Sequence, residues 1–100
     1  MTISIVSASK EIEALMKAPP GKAVRGLQPA ETRKIRQITS VILASDSLVD
    51  IQNNHPGWAV HRYSGNERTW SFSVAGATRL LMEWDGERKE VSNIRFDNPH

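Results

Sequence analysis

Several side chains in the second half of the sequence are of the types that can cleave RNA without a metal ion. His61 is followed by Arg62, Arg79 stands in an apolar, strand-like run, and the chain closes with Asp97 and His100. Such cleavage needs a base for the proton of the ribose 2′-hydroxyl, an acid for the leaving oxygen and a cation for the charge on the phosphate. Imidazole can be base or acid near neutral pH. His61, Arg79, Asp97 and His100 are therefore the candidate catalytic residues.

Each of these residues also has a purely structural interpretation. From spacing alone, His61 fits an ordinary half-buried histidine in a strand, and His100 fits a frayed chain end. Arg79 must pair with Glu83 or Asp97, or else serve a ligand, because an isolated charge is costly to bury. The sequence pattern leaves these alternatives open.

A metal or cofactor site is not predicted. The three histidines are scattered, none lies four residues from another, and the chain has no cysteine. The lack of cysteine also excludes thiol nucleophiles and disulfides. We therefore expect neither a metal nor a cofactor.

The composition is that of one folded domain spanning residues 1–100. The chain is 39% hydrophobic and 24% charged, which is ordinary for a globular protein. No apolar run approaches the ~20 residues of a membrane span, and the first residues do not resemble a signal peptide. We expect a cytoplasmic protein with no membrane partner.

Positive charge is concentrated in one part of the chain, although the net charge is only +2. The segment 17–36 has a single acidic residue, Glu31, against the cations Lys17, Lys22, Arg25, Arg33, Lys34 and Arg36. Arginine suits phosphate groups, but a solvated helix face has a similar composition. This distribution favours a nucleic-acid partner only weakly.

The first half predicts two helices after a short alternating start. Ile3 and Ile5 could form an edge strand, and Ser9 can cap a short helix that ends before Pro19. A longer helix is predicted from Pro29, which suits the first helical position. Its apolar stripe would bury isoleucines, while Arg33, Arg36, Gln37 and Ser40 fall on the opposite side and Lys34 flanks the stripe.

From Trp58 onward the pattern is that of antiparallel strands. A connection at residues 75–77 pairs Phe72 with Leu80 and Trp70 with Met82, which brings the apolar side chains to one face. The fold class predicted is α+β, with two N-terminal helices on one face of a small antiparallel sheet and a possible N-terminal edge strand. Residues 53–57 form the predicted loop between the halves.

A second hairpin is predicted at Asp85-Gly86. A two-residue turn there would set Leu80 against Val91 and Arg79 against Ser92. A bulge between Val91 and Ile94 is needed to return the later apolar residues to the core. The opposite face would then be polar, with Ser71, Ser73, Arg79, Ser92, Arg95 and Asp97 on it.

The strands and the tail resemble those of the HigB-type toxins, the plasmid maintenance killer branch of the RelE/ParE superfamily. The matching segments are Trp70-Ser71-Phe72-Ser73-Val74, residues 78–84, Asp85-Gly86 and Asp97-Asn98-Pro99-His100. They lie within residues 55–100. Family members typically have a Leu-Lys-Gly loop, an aromatic-Ser-Ile strand, an aromatic-Arg-Ile strand and a final Asp-Tyr-His. The resemblance implies a RelE-like fold and a small ribosome-dependent mRNA endonuclease.

The resemblance also implies roles for individual residues. His61 matches the histidine before the glycine loop, Arg79 the strand arginine, and Asp97 and His100 the ends of the tail motif. The chain departs from the family pattern in four places. Ser64 replaces the loop lysine, Glu83 occupies a position that is often basic or neutral, the loop from His61 to Trp70 is one residue short, and Asn98-Pro99 replaces the tail tyrosine. The predicted RNA- or ribosome-binding residues are Arg33, Lys34, Arg36, Arg62, Arg68 and Arg95.

The sequence thus predicts the toxin of a type II toxin–antitoxin system that cuts mRNA on the ribosome by acid–base catalysis. Its implied partners are a helix-turn-helix antitoxin of the HigA type, the ribosome and mRNA, with operator DNA contacted only through the antitoxin. Three alternatives stay open. They are a ParE-like DNA gyrase inhibitor without nuclease activity, a degenerate toxin that only binds antitoxin, and a structural domain with no ligand.

Overall fold

A computed structural model describes residues 2–17, 26–63 and 68–97. Within these ranges, the α-helices are α1 (Lys10–Lys17), α2 (Pro29–Leu43) and α3 (Leu48–Asn54), and a single 3-10 turn covers Pro56–Trp58. The strands are β1 (Ser4–Ile5), β2 (His61–Arg62), β3 (Thr69–Ala75), β4 (Thr78–Asp85) and β5 (Glu90–Asp97). No helix of the described part is long and apolar enough to cross a membrane.

Helices α1 and α2 begin at the residues that the sequence predicts. The Ser9 hydroxyl accepts a hydrogen bond from the Ile12 N–H at 3.3 Å. In α2, Pro29 opens the helix, and the Gln28 N–H donates to Glu31 Oε1 at 2.7 Å as one half of a capping box. The isoleucines of the α2 stripe are fully buried. The predicted stop between α1 and α2 lies in residues 18–25, outside the described ranges.

The predicted loop at residues 53–57 is wrong, because helix α3 and the 3-10 turn occupy most of it. Ser47 caps α3 by accepting a hydrogen bond from the Asp50 N–H at 3.1 Å. Leu48 and Ile51 of this helix are buried. The helix spans only seven residues, too short a stretch for an apolar period to become evident in the sequence.

The sheet is mixed, with strand order β1-β5-β4-β3-β2. The pairings of β2 with β3, β3 with β4 and β4 with β5 are antiparallel. Strand β1 lies at one edge and runs parallel to β5, with Ser4 opposite Glu90. The predicted antiparallel sheet is thus formed by β2 to β5, and the edge strand β1 makes the whole sheet mixed.

The register of the first hairpin is the one that the apolar alternation predicts. Phe72 lies opposite Leu80 and Trp70 opposite Met82. The connection is shorter than predicted, because Ala75 already pairs with Thr78, and a bulge between Ser73 and Ala75 absorbs the difference.

The register of the second hairpin differs from the prediction. Leu80 lies opposite Phe96, not Val91, and Arg79 lies opposite Asp97, not Ser92. The turn runs from residue 86 to residue 89, since Asp85 Oδ1 accepts the N–H groups of Glu87 and Arg88 at 3.1 and 3.2 Å. This aspartate turn holds more residues than the two-residue turn that Asp85-Gly86 suggested.

The bulge predicted between Val91 and Ile94 is present. Asn93 has a φ of 53°, and the register shifts between Leu81 and Glu83 on the partner strand. The extra residue returns Ile94 to the core, where it is fully buried. It also sends Arg95 and Asp97 to the side of Arg79, as predicted.

One hydrophobic core joins the helices to a single face of the sheet. It is formed by helix residues such as Leu15, Ile35 and Ile38 together with strand residues such as Phe72 and Met82. We call the opposite face of the sheet the outer face. By strand alternation, it carries Arg79, Leu81, Glu83, Arg95 and Asp97.

Candidate active site

Cross-strand pairing arranges the outer face in three rows. The first row holds Ser73, Arg79 and Asp97, and the second holds His61, Ser71, Leu81 and Arg95. The third row holds Thr69, Glu83 and Ser92. The candidates His61, Arg79 and Asp97 therefore share one face, whereas His100 lies outside the described residues.

His61 is exposed at the free edge of the sheet, and its ring is oriented by the backbone. Its Nδ1 lies 2.7 Å from the carbonyl oxygen of Ala59, a residue in the left-handed conformation with φ 50°. A carbonyl oxygen can only accept, so Nδ1 carries the hydrogen of the neutral ring. The lone pair then lies on Nε2, which makes that atom a hydrogen-bond acceptor and a possible base.

Arg79 and Asp97 are cross-strand neighbours in the first row, with Ser73 on the other side of Arg79. Both charged side chains are exposed. Among the described residues, no carboxylate forms an ion pair with Arg79. The pairing with Glu83 or Asp97 that sequence reasoning considered is thus not formed, and the guanidinium is presented to solvent.

Glu83 pairs with Arg95 instead. Arg95 Nη1 donates to Glu83 Oε2 and, at 2.9 Å, to the carbonyl oxygen of Asn93, whose Nδ2 donates to Glu83 Oε1 at 3.1 Å. Burial raises the pKa of Glu83, but the hydrogen bonds from Arg95 and Asn93 and the charges of Arg95 and Arg68 outweigh it, so the net pKa is lowered. The bulge residue Asn93 therefore organises this cluster.

The two middle residues of the second row are buried. Ser71 is fully buried and Leu81 is 8% exposed, although both belong to the outer face. The Ser71 hydroxyl has no hydrogen-bond partner among the described residues. The sequence places Ser71 on the polar face correctly but gives no sign of its burial between its cross-strand neighbours His61 and Leu81.

Tyr63 is a site candidate that the sequence reasoning missed. Its N–H donates to the Thr69 carbonyl at 2.6 Å, which extends the pairing of β2 with β3 by one more position. Two residues beyond His61 along this edge, Tyr63 belongs to the same face and is 41% exposed. The sequence signal that could have indicated Tyr63 is its position two residues after His61, since side chains two residues apart in a strand lie on the same face. An exposed aromatic ring here can stack on a nucleobase.

The spacing between His61 and Arg79 suits a phosphodiester between them. They are two strands apart and one row apart, so their Cα atoms are about 12 Å from each other, from ~4.8 Å per strand and ~3.4 Å per residue. Both side chains are exposed and project from the same face. A strand of nucleic acid lying across the second row would contact both.

Two predicted RNA-binding residues lie away from this group. Arg62 pairs with Trp70 and so projects to the other side of the sheet, with its guanidinium carbon 5.9 Å from the Trp70 ring centroid. Arg68 lies beside the second hairpin, where its Nη2 is 4.0 Å from Asp85. Arg68 lies opposite Trp84, five positions along β4 from Arg79, so the two arginines are not neighbours on the sheet.

The three basic residues of α2 lie in different environments. Arg33 is exposed, Lys34 Nζ lies 4.5 Å from the centroid of the Trp58 ring, and Arg36 is half-buried in a hollow that it shares with Met16 of α1. Helix α2 packs on the core face of the sheet. These cations and the outer face are thus on opposite sides of the sheet.

Comparison with known proteins adds a structural likeness. No protein-family model matches the chain, and no curated protein matches it in sequence. A solved structure from Mycobacterium tuberculosis, the toxin–antitoxin complex RelBE2, contains a chain with 18% identity and a TM-score of 0.46. The alignment covers 99% of this chain and 100% of that one.

The outer face offers chemistry of one kind. It has a cation in Arg79, a nitrogen base in His61 and a carboxylate in Asp97, all exposed. Within the described ranges, no three histidine, aspartate or glutamate side chains lie close enough together to hold a metal ion. The groups that are present can bind a phosphate and transfer protons around it.

Proposed function

We propose that the chain is an endoribonuclease toxin that cleaves mRNA at its outer face by acid–base catalysis. The observation that carries the proposal is the shared exposure of His61, Arg79 and Asp97 on one face, with His61 Nδ1 bound to a backbone carbonyl. The resemblance of residues 55–100 to HigB-type toxins supports the same function.

His61 acts as the base in this proposal. Its Nε2 takes the proton of the ribose 2′-hydroxyl, and the resulting oxygen attacks the adjacent phosphorus. The hydrogen bond from Nδ1 to the Ala59 carbonyl holds the ring in the tautomer that this step requires.

Arg79 binds the scissile phosphate. Its guanidinium stabilises the extra negative charge of the five-coordinate phosphorus, an interaction that strengthens in the transition state. Because no described carboxylate is paired with Arg79, it needs to break no ion pair to bind this phosphate.

The acid is supplied by the C-terminal tail. Asp97 stands beside Arg79 and either orients His100 or takes part in the proton transfer. The bond between phosphorus and the 5′ oxygen breaks as that oxygen gains a proton. The products are a 2′,3′-cyclic phosphate and a 5′-hydroxyl end.

The partners in this proposal follow from the resemblance to HigB-type toxins. They are the translating ribosome, which presents the mRNA, and a helix-turn-helix antitoxin, through which the pair would contact operator DNA. The α2 cations Arg33, Lys34 and Arg36 are proposed to contact ribosomal RNA, on the side of the molecule away from the cleavage site.

A pulse of expression in cells tests this function. Mapping of mRNA 5′ ends should give new 5′-hydroxyl ends within translated codons, while DNA supercoiling measured in the same cells stays unchanged. Intact mRNA with altered supercoiling would overturn the proposal in favour of a gyrase inhibitor. Intact mRNA with normal supercoiling would favour a chain that only binds its antitoxin.

A further inference from the structure

We infer that Glu83 lowers the affinity of the outer face for RNA, because its carboxylate competes with a nucleic-acid phosphate for Arg95. The inference rests on the proposed function, because it assumes that RNA lies on the outer face. In this inference Glu83 weakens RNA binding, whereas the arginines around it strengthen RNA binding.

The Glu83–Arg95 pair lies next to the proposed path of the RNA. Arg95 belongs to the same row as His61, and Glu83 belongs to the next row, directly opposite Ser92. Both side chains are about one-third exposed, at 33% for Arg95 and 31% for Glu83. Solvent, and hence a phosphate, can reach the pair.

The Glu83–Arg95 pair is held in place by hydrogen bonds to Asn93. The backbone carbonyl of Asn93 accepts from Arg95, and the Asn93 amide donates to the Glu83 carboxylate. The Asn93 N–H in turn donates to the Ser7 hydroxyl at 2.8 Å. Bulges commonly re-aim side chains beside active sites, and here the bulge at Asn93 brings both charges together.

Charge makes the pair a competitor of phosphate. On the outer face, the charges of Arg79 and Arg95 are balanced by those of Asp97 and Glu83. A phosphate gains most from Arg95 when Glu83 no longer neutralises its charge, since carboxylate and phosphate oxygens accept hydrogen bonds from the same guanidinium. Removing only the negative charge of Glu83 should therefore tighten binding.

The test is the affinity of a short fluorescein-labelled 2′-O-methyl RNA, which cannot be cut by attack of a 2′-hydroxyl, measured by fluorescence anisotropy. The variants are Glu83→Gln, Glu83→Ala, Arg95→Ala and the double variant Glu83→Gln/Arg95→Ala. Glu87→Gln is the matched control, because it removes the same charge from an exposed turn residue. Arg79→Ala reports separately on whether RNA uses the outer face.

Both Glu83 variants should lower the Kd about threefold to fivefold, the size expected from releasing one partly exposed ion pair. The slope of log affinity against log salt should steepen by ~0.7, as for one additional contact to a single strand. Glu87→Gln should leave the Kd unchanged. In the Arg95→Ala background, Glu83→Gln should have almost no effect.

Three results would overturn the inference. In the first, the Glu83 variants bind the RNA with an unchanged or higher Kd, while Arg79→Ala binds it more weakly than the wild type. The Glu83–Arg95 pair would then have only a structural role, and the proposed function would stand. In the second, Glu83→Gln raises the affinity for RNA equally in the Arg95→Ala background. The effect would then come from the loss of negative charge alone and not from the release of Arg95. A Kd that neither Arg79→Ala nor Arg95→Ala alters would remove the proposed function together with the inference.

Discussion

Arg79 and Asp97 lie directly opposite each other on strands β4 and β5, on the outer face of the sheet, and form no ion pair. Opposite charges at directly opposed positions of two strands usually form a stabilising cross-strand pair. Here both are exposed, and His61 lies on the same face two strands away from Arg79. This arrangement leaves the Arg79 guanidinium available to a phosphodiester.

His61→Ala should lower the rate of mRNA cleavage by about 10²-fold or more, because it removes the proposed general base. The matched control is His55→Ala. The His55 ring stacks on Trp58 with centroids 4.0 Å apart, outside the proposed site. Rates of cleavage by purified protein on translating ribosomes would decide. Equal losses in the two variants would contradict a special role for His61.

Tyr63→Ala should weaken RNA binding by about 1–3 kcal/mol if its ring stacks on a base. Tyr63→Phe should bind almost as well as the wild type, because a phenyl ring keeps the stacking surface. Anisotropy with a labelled, uncleavable RNA measures both. If Tyr63→Phe were as weak as Tyr63→Ala, the hydroxyl and not the ring would be the contact.

Glu31→Ala should lower the free energy of unfolding by about 1–3 kcal/mol, because two hydrogen bonds to a buried carboxylate are lost. These come from the Gln28 N–H and from the Thr78 hydroxyl, which ties α2 to the start of β4. Chemical denaturation measures the change. Glu87→Ala, at an exposed turn position, should stay within about 0.5 kcal/mol of the wild type. Similar values for both variants would disprove a structural role of Glu31.

The Glu83–Arg95 pair should make stability depend on pH in the acidic range. Since the pKa of Glu83 is lowered from 4.5 on folding, its contribution is fully present above pH 4.5 and is lost as the pH falls through the folded-state pKa. An NMR titration should show the pKa of Glu83 rising in Arg95→Ala. A pKa that does not move in that variant would show that Arg95 is not the cause of the shift.

The sequence predicts the first hairpin well, for a clear physical reason. Alternation of large apolar residues in β3 and β4 allows one register that buries Trp70, Phe72, Leu80 and Met82 together. The bulge near Asn93 follows from the same requirement, because Ile94 would otherwise face solvent. Both features are set by burial.

The second hairpin and α3 are not determined by burial alone. The turn after Asp85 depends on side-chain hydrogen bonds to Glu87 and Arg88, which set the turn length and with it the partner of Arg79. Helix α3 depends on the Ser47 cap, with few apolar residues to show a period. Local polar contacts of this kind have weak signatures in a sequence.

The site was predictable to the same extent as the sheet. Alternation brings His61, Arg79 and Asp97 to one face, but it does not tell which carboxylate pairs with which arginine. The pairing of Glu83 with Arg95 depends on the position of the bulge, and the orientation of His61 depends on the left-handed Ala59. These details required three-dimensional geometry.

The role of Arg79 in mRNA cleavage is tested by comparing the wild type with Arg79→Ala after a pulse of expression, with mRNA 5′ ends mapped in both. Arg88→Ala, which removes an exposed arginine from the β4–β5 turn, is the control. We predict that cuts within translated codons and growth arrest disappear in Arg79→Ala while its circular dichroism spectrum is unchanged, and that Arg88→Ala behaves as the wild type. A folded Arg79→Ala variant that still cuts mRNA and arrests growth would rule out phosphate binding by Arg79 as the basis of cleavage.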